Sequence, residues 1–279
     1  MSYKIVMDSC GDLPEEWKNH SKIQLIPLTL QIGEEAIIDD ETFDQLSFLK
    51  KVAAYPECPK SACPSPQSYM ESYGGEEEHV YVITLSSHLS GSYNSAVVGK
   101  DMYLEQYGEK KIHVIDSESA STGETQIALK AIELEESGKY SFEEIVEKLE
   151  KFRSEIATFF VLDSLEALRK NGRLSAVKAL VANTLNIKPV MEGRQGVIFQ
   201  AGQGIGIKKA LNKMADALVE KMVKSEKRVL MISHCNNRQR AEYMKELVLK
   251  RADFAKVYIV ETRGVSSLYA SDGGIIVTA

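Results

Sequence analysis

The sequence predicts an α/β protein with two α/β domains. The first has a mainly parallel sheet flanked by helices, and the second a mixed sheet. Three observations carry this prediction. Strand-length apolar runs alternate with helical patterns through the first half, which implies parallel strands covered on both faces. A hairpin signal appears among the helices of the second half, and a hairpin requires antiparallel pairing. The 279 residues suffice for two ordinary domains, and a hydrophobic content of 44% supplies a substantial core. The change in character places the boundary near residue 157, giving domains of residues 1–157 and 158–279.

In chain order, Tyr3 to Met7 and Gln24 to Leu30 read as strands, and Asp44 to Val52 has helical spacing. His79 to Leu85 is a buried strand, followed by a helix with Ala96, Val97, Met102 and Leu104 on its apolar face. Lys111 to Ile115 is a strand, and a helix begins near Ser121 or Thr122. Ser141-Phe142-Glu143-Glu144 has capping-box form and opens a helix burying Ile145, Leu149 and Phe152. Thr158 to Leu162 is a strand, with a short helix to Arg169. Ile187 to Met191 and Gly196 to Gln200 flank Glu192-Gly193-Arg194-Gln195, which reads as a hairpin turn. Lys208 to Val223 and Arg238 to Leu249 are helical; Arg228 to Ser233, Lys256 to Glu261 and Gly274 to Val277 are strands.

The most informative segment is the turn Ser86-Ser87-His88-Leu89-Ser90-Gly91-Ser92-Tyr93, between a strand and a helix. The first N–H groups of that helix have no partner within it and point at the turn. Serine hydroxyls add donors, and Gly91 lets backbone approach a ligand. A carboxylate or a phosphate suits such a turn equally. The alternative is that Ser90 only caps the helix. In parallel sheets ligands bind beyond the carboxyl ends of the strands. Asp8-Ser9, Ser86 to Ser92 and Asp116-Ser117 would all lie at that edge.

This turn resembles part of the signature of the DegV family, Ser-Ser-x-Leu-Ser-Gly-Thr-Tyr, with Ser92 in place of Thr. Four further stretches are similar to the family in the same order. They are Ile5-Val6-Met7-Asp8-Ser9-Cys10-Gly11-Asp12-Leu13-Pro14, Lys60-Ser61-Ala62-Cys63-Pro64-Ser65-Pro66, Val114-Ile115-Asp116-Ser117, and Leu168-Arg169-Lys170-Asn171-Gly172-Arg173-Leu174 followed by Leu185-Asn186-Ile187-Lys188-Pro189-Val190. The resemblance implies a protein that holds one long-chain fatty acid. Such a protein presents the carboxylate to a partner fatty acid kinase, whose acyl phosphate feeds phospholipid synthesis. It implies carboxylate binding at Ser61 (where the family usually has Thr), Ala62, Ser90 and Gly91. It implies docking of the kinase at Arg173. The family often has a His before a Gly-Pro-Gly segment near the end. Here Tyr269 falls about there, and a phenol donates a hydrogen bond but carries no positive charge near neutral pH. No cofactor beyond the bound fatty acid is implied.

Composition excludes other classes. The net charge of −6 and pI of 5.6 offer no basic stripe for nucleic acid. The apolar runs are strand-length, so no transmembrane segment is expected. The chain enters a strand pattern at once, without a signal peptide, so a cytoplasmic location is the default. Cys10, Cys58, Cys63 and Cys235 match no common zinc spacing, and no metal site is expected.

Two other functions fit the serine-rich pocket: a small-molecule hydrolase or phosphotransfer enzyme, and a lipid-responsive sensor. His88 among the serines suggests a nucleophile and base, but the Gly-x-Ser-x-Gly elbow is absent and no catalytic residue is assigned. Asp39-Asp40-Glu41 reads as a solvated acidic turn near a helix start, or else as a divalent cation site. Asp8 and Asp116 read as caps of the turns that shape the pocket, or as a catalytic pair.

Overall fold

The computed structural model describes residues 2–174 and 186–279. The first part runs β1 (Tyr3–Asp8), β2 (Ile23–Ile26), β3 (Thr29–Ile32), β4 (Glu35–Ile38), α1 (Gln45–Ala54), β5 (Lys60–Ala62), α2 (Pro66–Ser72), β6 (His79–Thr84), α3 (Ser92–Tyr107), β7 (Lys111–Asp116), α4 (Thr122–Ser137) and α5 (Phe142–Glu155). The second runs β8 (Thr158–Val161), α6 (Glu166–Lys170), β9 (Ile187–Arg194), β10 (Val197–Ile205), α7 (Ile207–Lys221), β11 (Val229–His234), α8 (Arg238–Leu249), β12 (Lys256–Glu261), α9 (Gly264–Ala270) and β13 (Ile275–Thr278). The fold is α/β, with one mainly parallel and one mixed sheet, as the sequence predicts.

The parallel sheet has the order β2-β1-β6-β7, and all its pairings are parallel. Its central strands are buried on both faces, so their residues divide by parity. Ile5 and Met7 pack with Ile127 and Ala128 of α4 and Ile145 and Leu149 of α5. Val6 packs on the other side with Tyr69, Tyr73 and Ala96. The capping box forms: the Ser141 hydroxyl accepts from Glu144 N–H, and the Glu144 carboxylate accepts from Ser141 N–H.

The mixed sheet has the order β10-β9-β8-β13-β11-β12, with β11 and β12 parallel and its other neighbours antiparallel. Helices α7 and α8 cover one face through Leu211, Met214, Leu218, Met244 and Val248. The two halves are interlocked. Helix α4 touches β1 and β6 of the parallel sheet and β11 and β13 of the mixed one, and α9 packs on α1 and β3.

Two expectations require correction. Gln24 to Leu30 is not one strand. Pro27 has no N–H to give a ladder, so β2 ends at Ile26 and β3 starts at Thr29 in a small antiparallel sheet, β4-β3-β5. The hairpin turn lies at Gln195-Gly196 rather than Glu192 to Gln195. Both turn residues have positive φ, +47° and +78°, as a two-residue hairpin loop of matching twist requires. Glu192 stays in β9 because Arg194 and Lys221 neutralise it, leaving it 2% exposed.

Candidate ligand-binding site

Three turns meet beyond the carboxyl ends of β1, β6 and β7, and buried acids fix them. The Asp8 carboxylate accepts from Cys10 N–H at 3.1 Å and from Leu85 N–H at 2.9 Å, tying β1 to the end of β6. Asp116 accepts from Ser87 and Glu118 N–H, both at 3.1 Å, tying the serine turn to the end of β7. Both side chains hold turns.

The serine turn folds on itself: Ser86 C=O accepts from Leu89 and Ser90 N–H. The Ser90 hydroxyl accepts from Ser92 N–H at 3.2 Å and lies 3.2 Å from Ser92 Oγ. It therefore organises the start of α3 while also lining a cavity. Gly91 is the residue preceding α3 and Ala62 is exposed at the end of β5; neither belongs to the cavity wall.

Ser61, Ser90, Arg173 and Tyr269 do belong to it. Ser61 Oγ and Tyr269 Oη are 2.9 Å apart, joining β5 to α9 across 208 residues. The Arg173 guanidinium stands 5.7 Å over the Tyr269 ring, and its Nε donates to Leu89 C=O at 3.0 Å. Asn171 Nδ2 donates to Pro59 C=O at 3.1 Å and anchors the turn after α6 to the segment before β5. Most of the remaining wall is apolar, with Leu85, Leu89, Phe160, Leu162, Leu168, Val265, Ile198 and Ile276. Ser119 and Thr158 form a second polar point, their hydroxyls 2.7 Å apart. The cavity measures about 90 Å³.

The acidic stretch before α1 is not a solvated turn throughout. Asp39 is 1% exposed, and it accepts from Ser9 Oγ at 2.9 Å, Gly264 N–H at 2.9 Å and Val265 N–H at 3.0 Å. It thereby caps α9, which carries Tyr269. A Cβ at Gly264 would come within 2.5 Å of Asp39 Cγ, so only glycine permits this approach. Asp40 is half-buried and accepts from Thr42, and Glu41 is exposed.

Asp12, whose role sequence reasoning missed, accepts from Ser121 Oγ at 2.5 Å and Arg263 N–H at 2.7 Å. Burial, opposed by these hydrogen bonds, pushes its carboxyl up to about 7. The available signal was two aspartates, Asp8 and Asp12, beside an apolar strand with no basic residue between them.

Among the described residues, Asp8, Cys10 and Glu124 are close enough to share a cation. The chemistry favours a neutral Glu124 over a bound cation. Glu124 is fully buried, and neither of its oxygens receives a hydrogen bond from an N–H or hydroxyl. Burial, and next the Asp8 charge, push its carboxyl well above the ordinary range, which favours its neutral form beside Asp8. Burial, then Glu124, Asp8 and Asp12, raise the Cys10 thiol, so it offers no thiolate.

His88 is exposed, and its ring meets neither the Ser61 nor the Ser90 hydroxyl. No described helix is long and apolar enough to cross a membrane.

The model of the DegV family, described as uncharacterised, matches residues 2–278. A DegV domain-containing protein of Streptococcus gordonii is 34% identical over 279 residues, covering 99% of this chain and 98% of its own. The crystal structure of a Ruminococcus gnavus DegV-family protein, refined with vaccenic acid, is 47% identical with a TM-score of 0.97 over 100% of both chains. The Streptococcus pneumoniae fatty acid kinase B3 protein, loaded with linoleic acid, is 31% identical with a TM-score of 0.86, covering 100% of this chain and 99% of its own. With a match over nearly its whole length and relatives above 30% identity, this chain belongs to the DegV family.

Proposed function

We propose that this protein binds one long-chain fatty acid and presents its carboxylate to a separate fatty acid kinase. The observation that carries this is the Ser61–Tyr269 hydroxyl pair, with Ser90 and Arg173, on the wall of an otherwise largely apolar cavity. Each hydroxyl donor to a carboxylate contributes roughly 1.5–3 kcal/mol, which orients the head group. The acyl chain adds about 0.8 kcal/mol per buried CH₂ and supplies most of the affinity. Organic ligands typically occupy roughly 300–1,000 Å³, so apolar wall side chains rotate to admit the chain. Presentation to a kinase draws its support from the relative named for that system. Arg173 stands beside Tyr269, half-buried, where one guanidinium serves both the lipid carboxylate and an acidic group of the kinase.

Mass spectrometry of an organic extract of the purified protein tests the reading. About one fatty acid per chain is expected; none above the buffer blank, with no uptake of added fatty acid, overturns it. Ser61→Ala and Ser90→Ala are each expected to weaken binding about tenfold without unfolding the chain. Full affinity in the double variant would place the carboxylate elsewhere. Arg173→Ala is expected to impair acyl-phosphate formation by the kinase, and unchanged coupling at low protein concentration would remove Arg173 from the docking surface.

A further inference from the structure

A second, open cleft shares Glu118, Ser119 and Gly193 with the apolar cavity. It measures about 980 Å³ and is bounded by the α5–β8 connection, the β9–β10 hairpin and the segment from α7 to β11. Seven cationic side chains line it against three carboxylates, although the whole chain carries a net charge of −6.

Those carboxylates are already engaged: Glu118 with Arg153, Glu155 with Arg228 at 2.9 Å, and Glu192 with Lys221 and Arg194. Arg153 also meets Glu150 at 2.9 Å, and Lys130 meets Glu133 at 2.7 Å. Lys224 and Lys227 are exposed and pair with no carboxylate among the described residues; residues 175–185 contain none to pair with. Glu226, between them in sequence, does not line the cleft. The buried Nε of Arg153 also lacks an acceptor. Apolar surface stands beside these cations, in Phe152, Ile156 and Val223, the last 70% exposed.

A concave surface with excess positive charge concentrates multivalent anions, and the adjoining apolar side chains suit a ligand with a carbon moiety. We propose that this cleft binds an organic phosphate, its phosphate drawn to Lys224 and Lys227 and its apolar part lying against Val223 and Phe152. Such a phosphate belongs either to a soluble ester or to a lipid head group. The site stands apart from the proposed carboxylate site and does not depend on it.

The test uses the full chain at constant ionic strength, because screening alone alters weak anion binding. Pyrophosphate is the soluble probe, read by melting shift and calorimetric titration. Phosphatidylglycerol vesicles are the membrane probe, read by co-flotation against phosphatidylcholine vesicles. Saturable binding of either probe is expected, weakened about tenfold by Lys224→Gln with Lys227→Gln. Pyrophosphate binding alone assigns a soluble phosphate, and phosphatidylglycerol binding alone a head group. Both lysines are exposed, so folding of the variant is expected to be unchanged by circular dichroism. No binding of either probe at millimolar concentration, or binding retained in full by the double variant and by Lys224→Glu with Lys227→Glu, overturns the proposal.

Discussion

The carboxyl edge of the parallel sheet and the base of the β9–β10 hairpin both bury acidic side chains, and they hold them by different means. At the edge, Asp8, Asp12 and Asp39 rest mainly on backbone N–H and hydroxyl donors, and burial favours the neutral form of Glu124. The nearest cation is Arg263, 3.8 Å from Asp39. At the hairpin, Glu192 rests on two cations, Arg194 at 2.6 Å and Lys221. Burial raises every acid of the first group. For Glu192 burial acts the same way, but the two cations outweigh it and hold the carboxyl below its usual value. Dipoles at the edge fix direction, so each acid there aims a particular turn at the cavity. Charges at the hairpin fix only proximity, and their exposed partners are screened by water.

The largest break in this comparison is expected from Asp39→Ala. It strands the Ser9 hydroxyl and the Gly264 and Val265 N–H groups without their buried acceptor. Removing one partner from a buried charged network costs about 3–5 kcal/mol. Glu192→Ala leaves cations that water can reach, and is expected to cost about 1 kcal/mol. Urea denaturation of the two variants measures both. Because Asp39 caps α9, fatty-acid affinity is expected to fall with Asp39→Ala and not with Glu192→Ala. Equal costs would show that dipoles and cations hold these acids alike.

The two regions are also expected to fail at opposite ends of the pH range. Asp12 titrates near 3.8 when unfolded and about 7 when folded, so the native state binds the extra proton between those values. Its contribution is fully present below about pH 4 and is lost as pH rises to about 7. Glu192 has the opposite sign: its contribution is present above its ordinary value of 4.5 and is lost as pH falls through its lowered folded value. Asp12→Asn is expected to flatten the decline in stability between pH 4 and 7, and Glu192→Gln to flatten the loss in acid. Denaturation midpoints across pH give both slopes. A decline between pH 4 and 7 that Asp12→Asn leaves untouched would remove Asp12 as its source.

Much of this was legible in the sequence where one residue decides one contact. Strand parity at Ile5, Val6 and Met7 gives the two faces of the parallel sheet. The Ser141 and Glu144 pattern gives its capping box. Ser61 and Ser90 lie on the cavity wall within stretches that resemble the family; Tyr269 lies there where the family often has His, and Arg173, expected at a docking surface, also lines the wall. The rest depends on partners far along the chain. Asp39 looks like a surface acid until α9 returns after 225 residues. Glu192 reads as a turn residue until Lys221 comes beside it. Helix α9 itself has only seven residues, too few to show a helical period.

Glu124→Gln is expected to have the smallest effect, and it sharpens the comparison most. If Glu124 is protonated and donates to Asp8, an amide of nearly the same shape can make the same donation. Stability at neutral pH is then expected to change by less than about 1 kcal/mol. The variant is also expected to be more resistant to alkali. The raised Glu124 carboxyl makes a contribution that is fully present below its unfolded value of 4.5 and is lost as pH rises toward its folded value, and glutamine has no such loss. The groups facing Glu124 are Asp8, Asp12, the Cys10 thiol and the Tyr69 phenol, so the profile is read against Cys10→Ser and Tyr69→Phe, which remove the other groups there that ionise in alkali. Were Glu124 instead ionised and holding a cation with Asp8 and Cys10, the amide would lose that cation, and Glu124→Gln would cost several kcal/mol and release metal detectable by elemental analysis. A large cost with released metal would move this edge into the same class as the hairpin, with buried acids held by positive charge. A neutral substitution with a flatter alkaline limb would leave the two regions as different solutions to burying a carboxylate.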